Sequence, residues 1–316
     1  MANIGTITIL IPVYGVELYI EECAVSLFEQ TYKDIDYIFC DDCTPDRSIE
    51  ILKEVIERYP ERKPHVKIIR NEKNLGLGGT RKRLLEELRT KYFCILDSDD
   101  LLPLNATDIL ANRMTETDVD IVDGAFQLFT ENKYGAIVYP SHDDIDTYRK
   151  KIQVRTTSHN IWARLYKSEV LTRVPDLFVQ GIDMCEDYCA LSRLVAVTTR
   201  AWTDEVVLFY RTDNAGSYTK QVTRKEVISY LNAIGLMVLF YASRGSLPLS
   251  VEIGALNAYR SGYEVGMSAS ECDEIIQYQP EHFIAKTLYR LFHSNNLAYH
   301  IADITYRIMR KAISKL

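Results

Sequence analysis

Short apolar runs of strand character alternate with helically spaced segments through the first hundred residues, and this alternation restricts the possible folds more than any other feature. Strand signals fall at Thr6 to Pro12, Asp36 to Asp41, Val66 to Arg70 and Tyr92 to Asp97. Between them Ile20, Ala24, Leu27 and Phe28 recur at helical spacing, as do Ile49, Leu52, Ile56 and Tyr59, with Asp46 or Ser48 placed to cap the second helix. A βαβαβαβ chain needs right-handed crossovers and a mostly parallel sheet covered on both faces. The expected fold class is therefore α/β, with ligands at the carboxyl ends of the strands.

Those strand ends are acidic. The first stops in Pro12-Val13-Tyr14-Gly15, the second in Asp41-Asp42-Cys43-Thr44-Pro45-Asp46, and the fourth in Asp97-Ser98-Asp99-Asp100. Five or more carboxylates are thus expected on one rim, where like charges repel and raise one another's pKa values. A divalent cation relieves that repulsion, and hard oxygen ligands in a D-x-D pattern suit Mg²⁺ or Mn²⁺. The plainer reading is that individual aspartates cap turns and helices. For the whole chain, 37 Lys and Arg against 44 Asp and Glu leave a formal charge of −7, which excludes a general nucleic-acid binder.

Between the third and fourth strands, Asn74-Leu75-Gly76-Leu77-Gly78-Gly79-Thr80-Arg81-Lys82-Arg83 runs into a helical pattern at Leu84, Leu85 and Leu88. Glycines let backbone approach a ligand, and a helix N-terminus attracts a diphosphate, with Arg81 or Lys82 adding charge. The plainer reading of this segment is an ordinary flexible connection. It matches neither the dinucleotide-binding nor the P-loop fingerprint. Seven cysteines, several in apolar runs, indicate reduced thiols and a cytosolic setting; Cys40, Cys43, Cys185 and Cys189 lack a His at ligand spacing for zinc. The start of the chain lacks a basic n-region and cleavage site, and the apolar run Ile7 to Val13 is too short to span a bilayer.

Together, Ile11-Pro12-Val13-Tyr14, Asp41-Asp42 with Asp46-Arg47-Ser48, Asn74-x-Gly76 leading to Arg81, and Phe93 to Asp100 with Pro103 resemble the family 2 glycosyltransferases of the GT-A fold. The resemblance implies a Rossmann-like, mostly parallel central sheet flanked by helices. It also implies a donor pocket drawn from Pro12, Val13, Tyr14, Asp41, Asp42, Asn74, Gly76, Arg81, Asp97 and Ser98, and a divalent metal, Mn²⁺ or Mg²⁺, on Asp97 and Asp99. Gly15, Cys43, Pro45 and Thr80 depart from the family's usual residues around the donor base and leave the metal motif intact. Further on, Trp162 to Ser168 is similar to the segment before the acceptor region, and Gly181-x-x-x-Cys185-Glu186-Asp187-Tyr188 resembles the acidic pair that supplies the general base. Asp187 is the candidate base and Glu186 the alternative; each also reads as an ordinary charge at a helix start. Val206 to Arg211 and Ser217-Tyr218-Thr219 look like the close of the catalytic domain.

The resemblance covers about residues 5 to 220 and implies a catalytic domain over 1–220, with a nucleotide-sugar half at 1–105 and an acceptor half at 106–220, followed by a helical region at 221–316. The implied activity is metal-dependent, inverting transfer of a hexose from a nucleotide sugar, by family habit a uridine diphosphate sugar, to an acceptor hydroxyl. The acceptor is a saccharide or lipid-linked saccharide in surface-polysaccharide or glycan synthesis. The competing readings are a sugar-nucleotide pyrophosphorylase, a receiver-like Mg²⁺-binding module, and a degenerate transferase that only binds.

The segment from Ile284 to Leu316 carries six basic residues, Lys286, Arg290, Arg307, Arg310, Lys311 and Lys315, against Asp303 alone, a balance of +5. Leu297, Ile301, Ile304, Ile308, Ala312 and Leu316 form a stripe at spacings of three and four. Such a helix packs its stripe on the catalytic domain or on a second subunit, or lies on an anionic bilayer. The expected location is accordingly the cytoplasm, with peripheral contact at the inner membrane face as the second alternative.

Overall fold

The computed structural model describes residues 4–131, 133–214, 216, 223–245, 247–294 and 296–313. Ser217-Tyr218-Thr219, the side chain of Leu297, and Lys315 and Leu316 lie outside the described residues. In chain order the elements are β1 (Ile7–Val13), α1 (Ile20–Phe28), β2 (Ile35–Asp41), α2 (Ser48–Arg58), β3 (Val66–Arg70), α3 (Gly76–Glu87), β4 (Tyr92–Ile95) and α4 (Ala106–Thr117). Then come β5 (Ile121–Thr130), β6 (Lys133–Val138), α5 (Ile145–Gln153), β7 (Arg164–Lys167), α6 (Val170–Arg173), α7 (Glu186–Val195) and β8 (Arg200–Arg211). The chain continues through α8 (Arg224–Ala242), α9 (Leu249–Glu264), α10 (Ala269–Ile276), α11 (Phe283–Phe292) and α12 (Asn296–Ile313).

Two compact units result. One comprises Met1–His142, Ile161–Gly181 and Thr198–Ser217 and holds all eight strands. Its sheet runs β3-β2-β1-β4-β7-β5-β6, with β8 paired to β5. The pairs β1–β2, β1–β4, β2–β3 and β5–β8 are parallel, and those of β7 with β4 and β5, and of β5 with β6, are antiparallel. β1 is buried along its whole length, which is why it reads as a continuous apolar run and not as an alternation. Leu27 and Phe28 of α1 and Leu52 and Val55 of α2 bury against this sheet in one core.

The other unit comprises Asp143–Asn160, Ile182–Val197 and Tyr218–Leu316 and is helical. A single cut at residue 220 does not describe it, because α5 and α7 belong with the C-terminal helices. Tyr148 and Ile152 of α5 bury against Leu191 and Val195 of α7. Gln153 Nε2 donates to Tyr241 Oη of α8 (2.8 Å), and that hydroxyl donates to Ser192 O of α7 (2.6 Å). Among the described residues one helix, α8, is long and apolar enough to cross a membrane, but 56% of its apolar stretch is buried, and it serves as the core helix of this unit.

Three local expectations change. β4 stops at Ile95 and not at Asp97: Leu96 N–H reaches Leu10 O (3.1 Å) and the chain then turns, with Asp100 N–H donating to Asp97 O (3.1 Å). The glycine-rich segment is no flexible connection but the first turns of α3, starting at Gly76 with φ +75°. A Cβ on Gly79 would stand 2.7 Å from Leu75 Cβ and 3.2 Å from Gln180 Cγ, so that position needs glycine for close packing. Finally, the apolar stripe of α12 faces outward, with Ile301, Ile304 and Ile308 exposed by 49, 61 and 63%, while Ala302, Tyr306 and Ile313 are buried.

Candidate active site

The turn Asp97-Ser98-Asp99-Asp100 stands at the carboxyl end of β4, in the centre of the sheet, and two arginines hold it. Arg81, almost fully buried on α3, donates from Nη2 to Asp97 Oδ1 (2.7 Å) while its guanidinium lies 5.6 Å from the Phe178 ring centre. Arg211, at the end of β8, donates its backbone N–H to Asp100 Oδ1 and its Nε to Asp99 O, both at 2.8 Å. Its guanidinium is sandwiched by Tyr19 (4.7 Å) and Phe129 (4.5 Å) and ion-pairs with Glu22 at 2.6 Å. Asn214 Nδ2 donates to Asp99 Oδ2 at 2.7 Å. Glu22 and Phe129 also line an open cavity of about 890 Å³ with Leu101, Leu102, Glu131 and Tyr134, so the acidic turn and this cavity share a wall.

Even so, negative charge remains undercompensated. Burial first, and the Asp97 charge second, push the Asp99 carboxyl up, against the Asn214 hydrogen bond and Arg211. Burial, then Asp99 and Asp97, raise Asp100 well above the usual carboxylate range. Asp100 is fully buried, and its Oδ2 has no hydrogen-bond partner among the described residues. A cation at the turn would relieve this repulsion. Among the described residues no three His, Cys, Asp or Glu side chains form a ready-made metal cage. Two carboxylates nonetheless suffice for Mg²⁺ or Mn²⁺ when substrate phosphates complete the shell, so Asp97 and Asp99 fit such an ion. The cysteines do not suit zinc: burial pushes Cys40 and Cys185 up to about 12, away from the thiolate that binds metal.

The carboxylates after β2 are turned into their own loops and do not join this cluster. Asp41 Oδ1 accepts from Thr44 N (2.8 Å), and its Oδ2 lies 3.3 Å from Arg70 Nη1. Asp42 Oδ1 accepts from Asn71 Nδ2 (2.8 Å) and Leu75 N (2.7 Å), and its Oδ2 from Gly76 N (3.0 Å). Asn74 Oδ1 also accepts from Gly76 N (3.1 Å). The first N–H groups of α3, expected to be open to a diphosphate, are therefore engaged by protein. Asp46 accepts from Thr44 Oγ1 (2.7 Å), Ser48 Oγ (2.6 Å) and Glu17 N (2.9 Å), tying the loop after β2 to the loop after β1. Burial opposes its ionisation, but the hydrogen bonds from Ser48 and Thr44 outweigh that and hold it below the usual range. Pro12 and Val13 are buried at the end of β1, where Val13 O accepts from Asp42 N (3.1 Å), and Tyr14 presents a half-exposed ring.

Glu186 and Asp187 lie in the helical unit as the first residues of α7. Ser229 Oγ of α8 accepts from Asp183 N (2.8 Å) and Met184 N (2.9 Å) and so shapes the approach to the helix. Cys185, at φ +62°, turns the chain into α7. Asp187 is partly exposed, its Oδ1 accepting from Tyr188 N (2.6 Å), and Glu186 is buried. The helix N-terminus favours negative charge at both.

A family model described as "Glycosyl transferase family 2" matches residues 8–169, more than half of the chain. The chain belongs to glycosyl transferase family 2. Its relatives include the uncharacterized glycosyltransferase EpsJ of Bacillus subtilis, 30% identical over 192 residues, covering 58% of this chain and 54% of EpsJ. A second is the glycosyltransferase GlyA of Streptococcus pneumoniae, 27% identical over 180 residues, 53% of this chain and 25% of GlyA. The chain thus spans about half or less of the length of these relatives. S. aureus TarS 1-349 in complex with UDP-GlcNAc shares the fold, with a TM-score of 0.62 at 16% identity over 96% of this chain and 91% of that one. A mannosyltransferase of Pyrobaculum calidifontis in complex with GDP-Man and Mn²⁺ aligns with a TM-score of 0.53 at 13% identity, covering 95% and 86%.

Two side chains that organise this family 2 site escape sequence reasoning. Arg211 is visible only as the last residue of an apolar strand, and the acidic turn that it holds lies more than a hundred positions away. Asn71 follows β3 directly and donates its side-chain amide to Asp42 Oδ1 (2.8 Å), a contact that no motif in the sequence announced.

Proposed function

We propose that this chain is a metal-dependent, inverting glycosyltransferase of hexosyltransferase type that moves a sugar from a nucleotide diphosphate donor to an acceptor hydroxyl. The observation that carries the reading is the acidic turn at Asp97 to Asp100, at the carboxyl end of a central strand and short of positive charge. Bound donors in similar folds, UDP-GlcNAc in one and GDP-Man with Mn²⁺ in another, support a nucleotide sugar, and we favour a uridine diphosphate donor. The acceptor we propose is a growing surface glycan or a lipid-linked saccharide. The seven unpaired thiols support placing the enzyme in the reducing cytoplasm. A pyrophosphorylase or a receiver-like module leaves the match over residues 8–169 unexplained.

Chemically, the acceptor oxygen forms a bond to the anomeric carbon as the bond from that carbon to the donor phosphate breaks. The electron pair of the broken bond leaves on the diphosphate, and the acceptor proton goes to a carboxylate, assigned to Asp187 with Glu186 as the alternative. Asp97 and Asp99 would hold the divalent cation, which when bound would supply Lewis-acid stabilisation of the leaving diphosphate. Arg81 and Arg211 keep the acidic turn in one conformation, so alignment is set before substrate arrives. We assign the nucleoside to the half-exposed ring of Tyr14, the ends of β1 and β2, and the Asn74-Gly76 turn. Asp187→Asn is expected to reduce turnover by about 10²-fold or more with donor affinity unchanged. Asp99→Ala should weaken Mn²⁺ and donor binding together in calorimetry. Donor affinity indifferent to both Asp99→Ala and EDTA would remove the metal from this scheme.

A further inference from the structure

The exposed side of α12 is more apolar than a solvated helix face needs to be. At 3.6 residues per turn, Ile301, Ile304 and Ile308 fall within about 60° of one another. All three are exposed, whereas the opposite side buries Ala302, Tyr306 and Ile313 in the helical unit. Exposed Lys311 and Arg307 flank the isoleucines along one edge of the stripe. The single acid of the helix, Asp303, is turned away from solvent between Arg307 (2.9 Å) and Arg260 (3.5 Å). α11 repeats the combination: Phe283 is 83% and Ile284 39% exposed, beside exposed Lys286 and Arg290. Arg310 is committed elsewhere, its Nε donating to Val154 O (2.7 Å), which fixes α12 to the turn after α5.

We propose that the outward face of α12, with the start of α11, docks on an anionic lipid surface. Apolar side chains that enter the headgroup boundary beside Lys and Arg are the chemistry of an interfacial helix. Each basic side chain near such a surface strengthens binding about five-fold. The charge pattern selects a bilayer over a second copy of the chain, because a two-fold pairing of this face would set Arg307 and Lys311 against their own counterparts. The charge distribution agrees: residues 284–316 carry +5, whereas the remainder of the chain, from a total of −7, carries −12. Residues 284–316 thus carry the sign of charge that negative lipid attracts.

Co-sedimentation of the full chain with phosphatidylcholine vesicles, with and without about a third phosphatidylglycerol, tests the assignment. Pelleting is expected with the anionic vesicles, with little on phosphatidylcholine alone, and should weaken as salt rises. Ile304→Glu with Ile308→Glu should cut vesicle affinity at least ten-fold, and Arg307→Gln with Lys311→Gln about twenty-five-fold at five-fold per charge. The melting temperature should hold in both variants, since the four side chains are exposed. Ile304→Ser with Ile308→Ser serves as the milder pair should the glutamates disturb folding. Absence of pelleting on anionic vesicles, or pelleting unchanged in the variants, overturns the proposal. So does a dimer in sedimentation velocity that the isoleucine variants split, which would assign the face to a second copy. Neither donor nor acceptor enters the measurement, so it can fail while the transferase reading stands.

Discussion

Asp42 accepts three hydrogen bonds on two oxygens and joins the end of β2 to the start of α3. Removing it takes the acceptor from Leu75 N–H and leaves Gly76 N–H and the Asn71 amide with only their longer contacts, to Asn74 Oδ1 (3.1 Å) and Thr80 Oγ1 (3.3 Å). Asp42→Ala is expected to lower stability by about 2 kcal/mol, read as a reduced urea midpoint with unchanged slope. Asp120 sets a pH dependence. It receives both terminal nitrogens of Arg173 (2.8 and 2.7 Å) and Thr199 N (2.7 Å). Burial alone would raise its pKa, but the Arg173 and Thr199 contacts prevail and bring it down from 3.8 to about 2. A folded-state pKa below the unfolded one stabilises the fold above the unfolded value. Its contribution, on the order of 1 to 2 kcal/mol, is full above about pH 5 and fades as pH falls from about 4 toward 2. Asp120→Asn should therefore cost most at neutral pH, and the gap to the parent protein should close across that acid window in denaturant titrations.

Among the elements, α9 shows why the helical unit takes in α5 and α7. Its Gly254 lies against Gln153 O at the end of α5 and the Tyr188 hydroxyl of α7, 2.8 Å from where a Cβ would stand. Gly254→Ala must move backbone, and about 1–3 kcal/mol of lost stability is expected by calorimetric melting, although alanine is the better helix former. An unchanged or raised melting temperature would show that α9 does not pack there. Such contacts are invisible to local patterns. The strands β1, β2 and β4 were legible because central parallel strands need near-continuous apolar runs, the edge strand β3 through the β-branched Val66, Ile68 and Ile69, and α1 and α2 because one face of each is buried. The end of β4 was not, since the turn at Asp97 depends on Arg81 and Arg211 reaching it from other elements. The glycines of α3 read as a connection because their reason, close approach to Leu75 and Gln180, is tertiary. For α12 the spacing revealed the stripe but not which side the fold would cover, because Tyr306 and Ala302 compete for the same neighbours as the isoleucines. Candidate site residues were legible as motifs; their hydrogen-bond duties, such as Asp42 on α3 and Asp46 between two loops, were not.

At the scale of the molecule, Asp99 belongs to the sheet-bearing unit and Asp187 to the helical one, and this separates binding from proton transfer in a thermal experiment. A ligand that binds only the folded state stabilises it by RT ln(1 + [L]/Kd), about 2.7 kcal/mol at a hundredfold excess over Kd. For a unit of this size that is roughly a 5 °C rise in melting temperature. With Mn²⁺ present, the correct nucleotide sugar from a panel should produce this rise, and EDTA should abolish it. Asp99→Ala should lose the shift, because the carboxylate expected to hold the ion is gone. Asp187→Asn should keep the shift in full while turnover falls, since its carboxylate, which accepts from Tyr188 N–H at the start of α7, is assigned to the acceptor proton and not to the donor. A rise that persists in EDTA would show that donor affinity comes from the arginines and loop backbone alone, and Asp97 and Asp99 would then serve to shape the turn.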